Sequence, residues 1–168
     1  MSVPQPRWID RPTPRLSKRT LKIRYIILHH GGGTVQGDLA ALTGPSGRVS
    51  ADFYVDRSGR IYKLNPQLTL CYTWHAGESK FDGRTKLNRY SLGIEAEHDP
   101  QVHSTWTPAQ YDTLAHLVAW LVERYNIPVD HVVGHKDVAW PRGRKIDPSN
   151  FDWDIFKQKV MARLETRE

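Results

Sequence analysis

Residues 23–33 read Ile23-Arg24-Tyr25-Ile26-Ile27-Leu28-His29-His30-Gly31-Gly32-Gly33, and the rest of the chain is best understood outward from them. The first six are β-branched, aliphatic or aromatic apart from Arg24, which predicts a short buried strand. Two imidazoles and three glycines then end it, placing titratable side chains at the lip of a sheet. Ser91 to Glu97 alternates Leu92, Ile94 and Ala96 with Gly93, Glu95 and Glu97, a second strand with one apolar and one carboxylate face. Ala51–Asp56 and Arg60–Leu64 flank Arg57-Ser58-Gly59 and predict a hairpin, and His131–Gly134 a further short strand. From Pro108 to Tyr125 the apolar residues Tyr111, Leu114, Leu117, Val118, Leu121, Val122 and Tyr125 recur at helical steps behind a Thr107/Gln110 capping box. Asp152 to Leu164 repeats that spacing, and Asp38–Leu42 predicts a short helix capped by Asp38. Strands alternating with helices predict a single α/β domain, a central mixed sheet flanked by helices, with its chemistry in a surface cleft.

Charge divides the 168 residues unevenly. Residues 1–24 hold seven basic side chains against Asp10, a surplus of +6, whereas residues 25–168 carry 17 basic and 17 acidic groups. With prolines at 4, 6, 12 and 14, residues 1–22 read as a basic, flexible arm ahead of a domain over 23–168. The longest apolar run, Leu117–Val122, is far short of the roughly 20 residues of a membrane span, so none is expected. No apolar stretch follows Met1, so we expect a chain made in the cytoplasm without a signal peptide. Cys71 is the single cysteine, which leaves any metal to His and carboxylate ligands.

His29-His30 and His135 both lie at predicted strand exits, and Asp147 follows His135 by twelve residues in a loop able to curl back. Two imidazoles and one carboxylate are the three protein ligands of a catalytic zinc that keeps a fourth position for water. The plainer alternative is a core histidine, a surface histidine and a turn-forming aspartate. Glu95, on the polar face of its strand, is suited to general acid–base work beside such an ion, or else simply faces solvent. His30-Gly31-Gly32-Gly33 is not an esterase oxyanion loop, because no Gly-x-Ser-x-Gly is present, nor a phosphate loop, because no Gly-Lys-Ser/Thr follows. Cys71 reads as a packing residue.

Taken in order, Ile26-Ile27-Leu28-His29-His30, Val49-Ser50-Ala51-Asp52-Phe53, Asp56-Arg57-Ser58-Gly59-Arg60-Ile61-Tyr62, Trp74-His75-Ala76-Gly77, Ser91-Leu92-Gly93-Ile94-Glu95, Gly134-His135-Lys136-Asp137-Val138-Ala139, Gly143-Arg144-Lys145-Ile146-Asp147-Pro148 and Phe151-Asp152-Trp153 form one pattern. Over residues 23–160 it closely resembles the zinc-dependent N-acetylmuramoyl-L-alanine amidases, the group of phage endolysins, bacterial amidases and peptidoglycan-recognition proteins. The resemblance implies one Zn2+ held by His29, His135 and Asp147, with His29 rather than His30 as the ligand. It also implies Glu95 as general base, Lys145 as the cation that stabilises the oxyanion, and Trp74 and His75 beside the substrate groove. The chain departs from the pattern at Asp52, where many relatives have His, and near Ala51, where some phage members carry an assisting Tyr. The His135–Asp147 loop is also longer, through Trp140-Pro141-Arg142.

The implied activity is hydrolysis of the amide between N-acetylmuramic acid and L-alanine of the peptidoglycan stem peptide. The expected setting is a monomeric phage endolysin that reaches the wall after the membrane is breached, its arm binding anionic envelope polymers or lipid. The alternatives are a cytoplasmic wall-recycling amidase or a peptidoglycan-binding module that does not cut. A neutral body and an arm whose one aromatic residue is Trp8 argue against nucleic acid as a partner.

Overall fold

A computed structural model describes residues 2–166. In chain order its elements are β1 (Ile9–Asp10), β2 (Leu16–Lys18), β3 (Tyr25–Gly31), α1 (Val35–Thr43), β4 (Phe53–Val55), β5 (Ile61–Lys63), β6 (Cys71–Thr73), β7 (Lys80–Phe81), β8 (Arg84–Thr85), β9 (Ser91–Glu97), α2 (Pro108–Tyr125), β10 (Val132–Gly134), α3 (His135–Val138) and α4 (Trp153–Glu165). The main sheet runs β1-β5-β4-β9-β3-β10, with β4 and β5 antiparallel and the other neighbours parallel. The expected mixed sheet flanked by helices is present.

Alternation along the central strands assigns each side chain to a layer. Ile26 and Leu28 of β3, Leu92 and Ile94 of β9, and Phe53 and Val55 of β4 pack under Leu114, Leu117, Val118 and Leu121 of α2 and Phe156 of α4. On the other face Tyr25 and Ile27 join Ala76, Leu87, Val133 and Val138, while Tyr54 packs with Leu39 and Leu42 of α1. The α2 cap is as expected, with Gln110 N donating to Thr107 Oγ1 and Thr107 N to Gln110 Oε1. Gly59, at φ +88°, turns the β4–β5 hairpin.

Three expectations are corrected. Strand β3 does not stop before His29 but pairs with β9 through Gly31, so both histidines lie within the sheet. Thr34, not Asp38, caps α1, its Oγ1 accepting from Gly37 N; the Asp38 carboxylate instead accepts a 2.7 Å bond from Tyr54 Oη.

The third concerns the basic arm, which is extended yet bound along the body. β1 pairs with β5 and β2 with β6. Val3 is buried in the main core, and Trp8 packs on Trp120 at 5.6 Å. Arg15 donates to the carbonyls of Val49, Gly44 and Ala41, and the buried Arg19 guanidinium to those of Leu68, Arg89 and Ser91. The physical reason is unmet backbone hydrogen bonding: loops and a sheet edge leave carbonyls that arginine forks satisfy.

Candidate metal centre and active site

Because residues alternate on β3, His29 emerges on the cleft face and is 3% exposed, whereas the His30 ring turns to the α2 face, 5.5 Å from His98 and 6.4 Å from Trp106. Strand β10 runs parallel beside β3, Gly134 opposite Leu28, so His135 at the start of α3 follows directly alongside His29. Lys136 N donates 2.8 Å to Asp147 O, closing the long loop and returning the Asp147 carboxylate to the same point. His29 Nδ1 lies 3.0 Å from His135 Nδ1 and 3.4 Å from Asp147 Oδ2, and His135 Nδ1 is 3.1 Å from that oxygen. Among the described residues this is the one group of three or more His, Cys, Asp or Glu that could hold a metal ion.

The donor set fits a divalent ion. Ligands about 2.0–2.1 Å from a tetrahedral zinc lie roughly 3.3 Å apart, the scale of the separations seen. His135 Nε2 donates 3.1 Å to Ala76 O, so in the neutral ring Nδ1 keeps its lone pair. Burial pushes the pKa of His29 down to about 4, so it is neutral at pH 7. Burial opposes ionisation of Asp147, but contact with both imidazoles outweighs it and holds the carboxyl below the usual range.

The three ligands open onto a cavity of about 310 Å3 whose wall includes Glu95, Lys145, His75, Asp38 and Ser50. Glu95 is directly opposite His29 in the β3–β9 register, on the same face, so pairing alone brings a carboxylate beside the candidate metal ligands. Burial, then the negative charges of Asp147 and Asp38, push its pKa up to about 8, with Lys145 opposing. Lys145 is an exposed cation on the cavity rim. His75 is buried against His29, its Nδ1 2.9 Å from His29 Nε2. Trp74 is 45% exposed outside the cavity wall, its Nε1 donating to Ser17 Oγ of the arm and its backbone bonded to Ser50. Asp52 is fully buried, accepting from Asn65 Nδ2, Thr73 Oγ1 and Gly93 N, so the departure there leaves the ligands untouched.

Asp38 in the cavity wall and Tyr54, which bonds to it, escaped sequence reasoning. Asp38 reaches the wall because Gly31 has no side chain: a Cβ there would sit 2.3 Å from its Oδ2. The glycine run was the available signal, since consecutive glycines mark close approach as well as turns. Tyr54, which orients Asp38, lies beside Glu95 in register and carried no sequence signal of its own.

The family model described as N-acetylmuramoyl-L-alanine amidase matches residues 19–150. The chain belongs to this amidase family. The amidase is 36% identical to the 1,6-anhydro-N-acetylmuramyl-L-alanine amidase AmpD of Haemophilus influenzae, over 94% of this chain and 90% of that protein. The match to AmpD of Enterobacter cloacae, 38% identical, spans 64% of this chain and 55% of its relative. It is 32% identical to the N-acetylmuramoyl-L-alanine amidase AmiD of Escherichia coli over 82% of the chain, but spans only about half of that relative, 53%. Among solved structures, a selenomethionine AmpD derivative superposes with a TM-score of 0.81 at 29% identity, covering 91% of this chain and 94% of that one. AmiD from E. coli in complex with the substrate anhydro-N-acetylmuramic acid-L-Ala-D-γ-Glu-L-Lys gives 0.73 at 29% identity, over 85% and 60%. The endolysin LysCS from Clostridium intestinale, at 21% identity and a TM-score of 0.67 over 95% and 99%, shares the fold.

Proposed function

We propose that this amidase is a zinc enzyme hydrolysing the amide between the lactyl group of muramic acid and L-alanine, with soluble anhydro-muramyl peptides from wall turnover as its substrates. The observation that carries the reaction is the meeting of His29, His135 and Asp147 in one cavity with Glu95 in register beside His29. The choice of soluble fragments is supported by the near full-length similarity to AmpD and by the anhydro-muramyl peptide bound in the AmiD structure.

Bound at the triad, zinc supplies Lewis acidity and lowers the pKa of water towards about 7. Glu95 takes a proton from the attacking water and returns it to the departing L-alanine nitrogen, a role that needs a carboxylate on the cavity wall. Lys145, on the same rim, faces the negative charge that builds on the carbonyl oxygen.

The endolysin reading is a second proposal, favoured by the exposed cations Arg7, Arg11, Lys18, Lys22 and Arg24. A binding-only module is disfavoured by the complete ligand set. Purified protein loaded with zinc should release stem peptide from a soluble anhydro-muramyl tripeptide with kcat/KM at least tenfold above that for fragmented, intact-strand wall. The opposite preference supports the endolysin, and binding with no release on either substrate overturns the enzyme reading.

A further inference from the structure

His75 touches a metal ligand and not only the substrate cavity, and the direction of its hydrogen bonds can be read from one end. Ser91 Oγ lies 2.6 Å from Leu87 O, a carbonyl that can only accept, so the single hydroxyl proton is committed there. The same Oγ is 3.0 Å from His75 Nε2 and must therefore accept, which puts the His75 proton on Nε2. Among the described residues no carboxylate pairs with the buried His75 ring, whose partners are Ser91 Oγ and His29, so with its one proton on Nε2 its Nδ1 carries the lone pair. That lone pair is 2.9 Å from His29 Nε2, which must donate, and the chain of donors ends with His29 Nδ1 unprotonated, facing His135 Nδ1 and Asp147.

We infer that His75 is a positioning residue for the metal centre: anchored by Ser91, it holds His29 in the tautomer whose Nδ1 is free to bind the ion. This rests on the zinc reading above and assigns His75 a part other than substrate contact. Two features show that the place is built for the ring. A Cβ on Gly93 would lie 2.4 Å from His75 Cγ, so only glycine lets the imidazole lie across β9. Asn88 Oδ1 accepts from both His75 N and Ala76 N, at 3.0 and 2.8 Å. One clamped dipeptide thus orients both imidazole ligands, His29 through the His75 ring and His135 through the Ala76 carbonyl. Groups of this kind around bound metals typically contribute about 10–100-fold in affinity.

The test uses two variants, because His75→Phe alters volume whereas Ser91→Ala removes only the anchoring oxygen. Zinc affinity is measured by chelator competition, and histidine tautomers by 15N NMR of the metal-free protein at pH 8. The expected result is an Nε2-protonated His29 in the parent and a 10–100-fold loss of zinc affinity in both variants. With zinc saturating, Ser91→Ala should keep the parent KM for an anhydro-muramyl peptide. Unchanged zinc affinity in both variants with a raised KM overturns the proposal in favour of substrate contact, as does an Nδ1-protonated His29 in the parent. If the parent binds no zinc, the functional reading fails, while the tautomer measurement still decides whether the chain of bonds exists.

Discussion

The proposed base role places two demands on Glu95: it must ionise to take a proton, yet in the metal-free protein its surroundings favour the neutral acid. Replacing it with Gln should preserve zinc binding and fold while lowering kcat by about 10²–10⁴, the usual contribution of a positioned base. Stem-peptide release and metal content measured on one sample check this. The raised pKa also sets a direction for stability in the metal-free protein. Between the ordinary carboxyl value of 4.5 and about 8 the folded state binds the Glu95 proton more tightly than the unfolded chain, so stability falls as pH rises through that window. Chelator-treated Glu95→Gln should therefore melt a few degrees above the parent at pH 8, the difference vanishing near pH 4. Equal melting temperatures at pH 8 would remove burial as the source of the shift. Lys145→Ala should lower kcat by about 10²-fold with zinc affinity unchanged, since the residue is a rim cation and not a ligand.

At the scale of elements, the β3–β9 pair does most to assemble the site. Seven consecutive registered positions, Tyr25 with Ser91 through Gly31 with Glu97, bring His29 and Glu95, the proposed metal ligand and base, together without any loop. A one-residue slip of β9 would turn Glu95 toward α2 and away from His29, so the apolar alternation of Leu92, Ile94 and Ala96 is as much a functional signal as a packing one. That alternation was legible in the sequence, as was the carboxylate face it implied. Less legible was which of His29 and His30 faces the cleft, because the strand's end could not be placed and either histidine could have been the first beyond it. Helix α2 offers a separate check on stability. Thr107 caps the helix and also donates 2.7 Å to Arg57 O in the β4–β5 turn, so Thr107→Ala should cost about 1–2 kcal/mol in urea unfolding while kcat stays within twofold.

For the whole molecule, the distribution of charge acquires a different meaning. Two of the seven cations before Tyr25, Arg15 and Arg19, are engaged by backbone carbonyls, and the segment that carries them completes a sheet edge and part of the core. Deleting residues 2–20 should therefore lower the thermal midpoint by well over 5 °C, because it strips Val3 and Trp8 from the core and removes β1 and β2, the strands paired with the outer edge of β5 and with β6. An unchanged midpoint would restore the free-arm expectation. The remaining exposed cations are still available to a polyanionic surface, and salt-dependent wall binding of the full chain measures that independently.

By itself the sequence determined the α/β class, the capped helix, the hairpin and the residue types for a metal-assisted hydrolysis, because strand and helix periods are local and chemistry-bearing side chains are few. Tertiary structure decided which side chains meet. It turned His29 and not His30 to the cleft, folded Asp147 back over twelve residues, brought Asp38 through a gap left by Gly31, and laid the basic segment along the body. Each depends on the register, close approach or unmet carbonyls of chain distant in sequence, and none of these has a period that a local pattern could reveal.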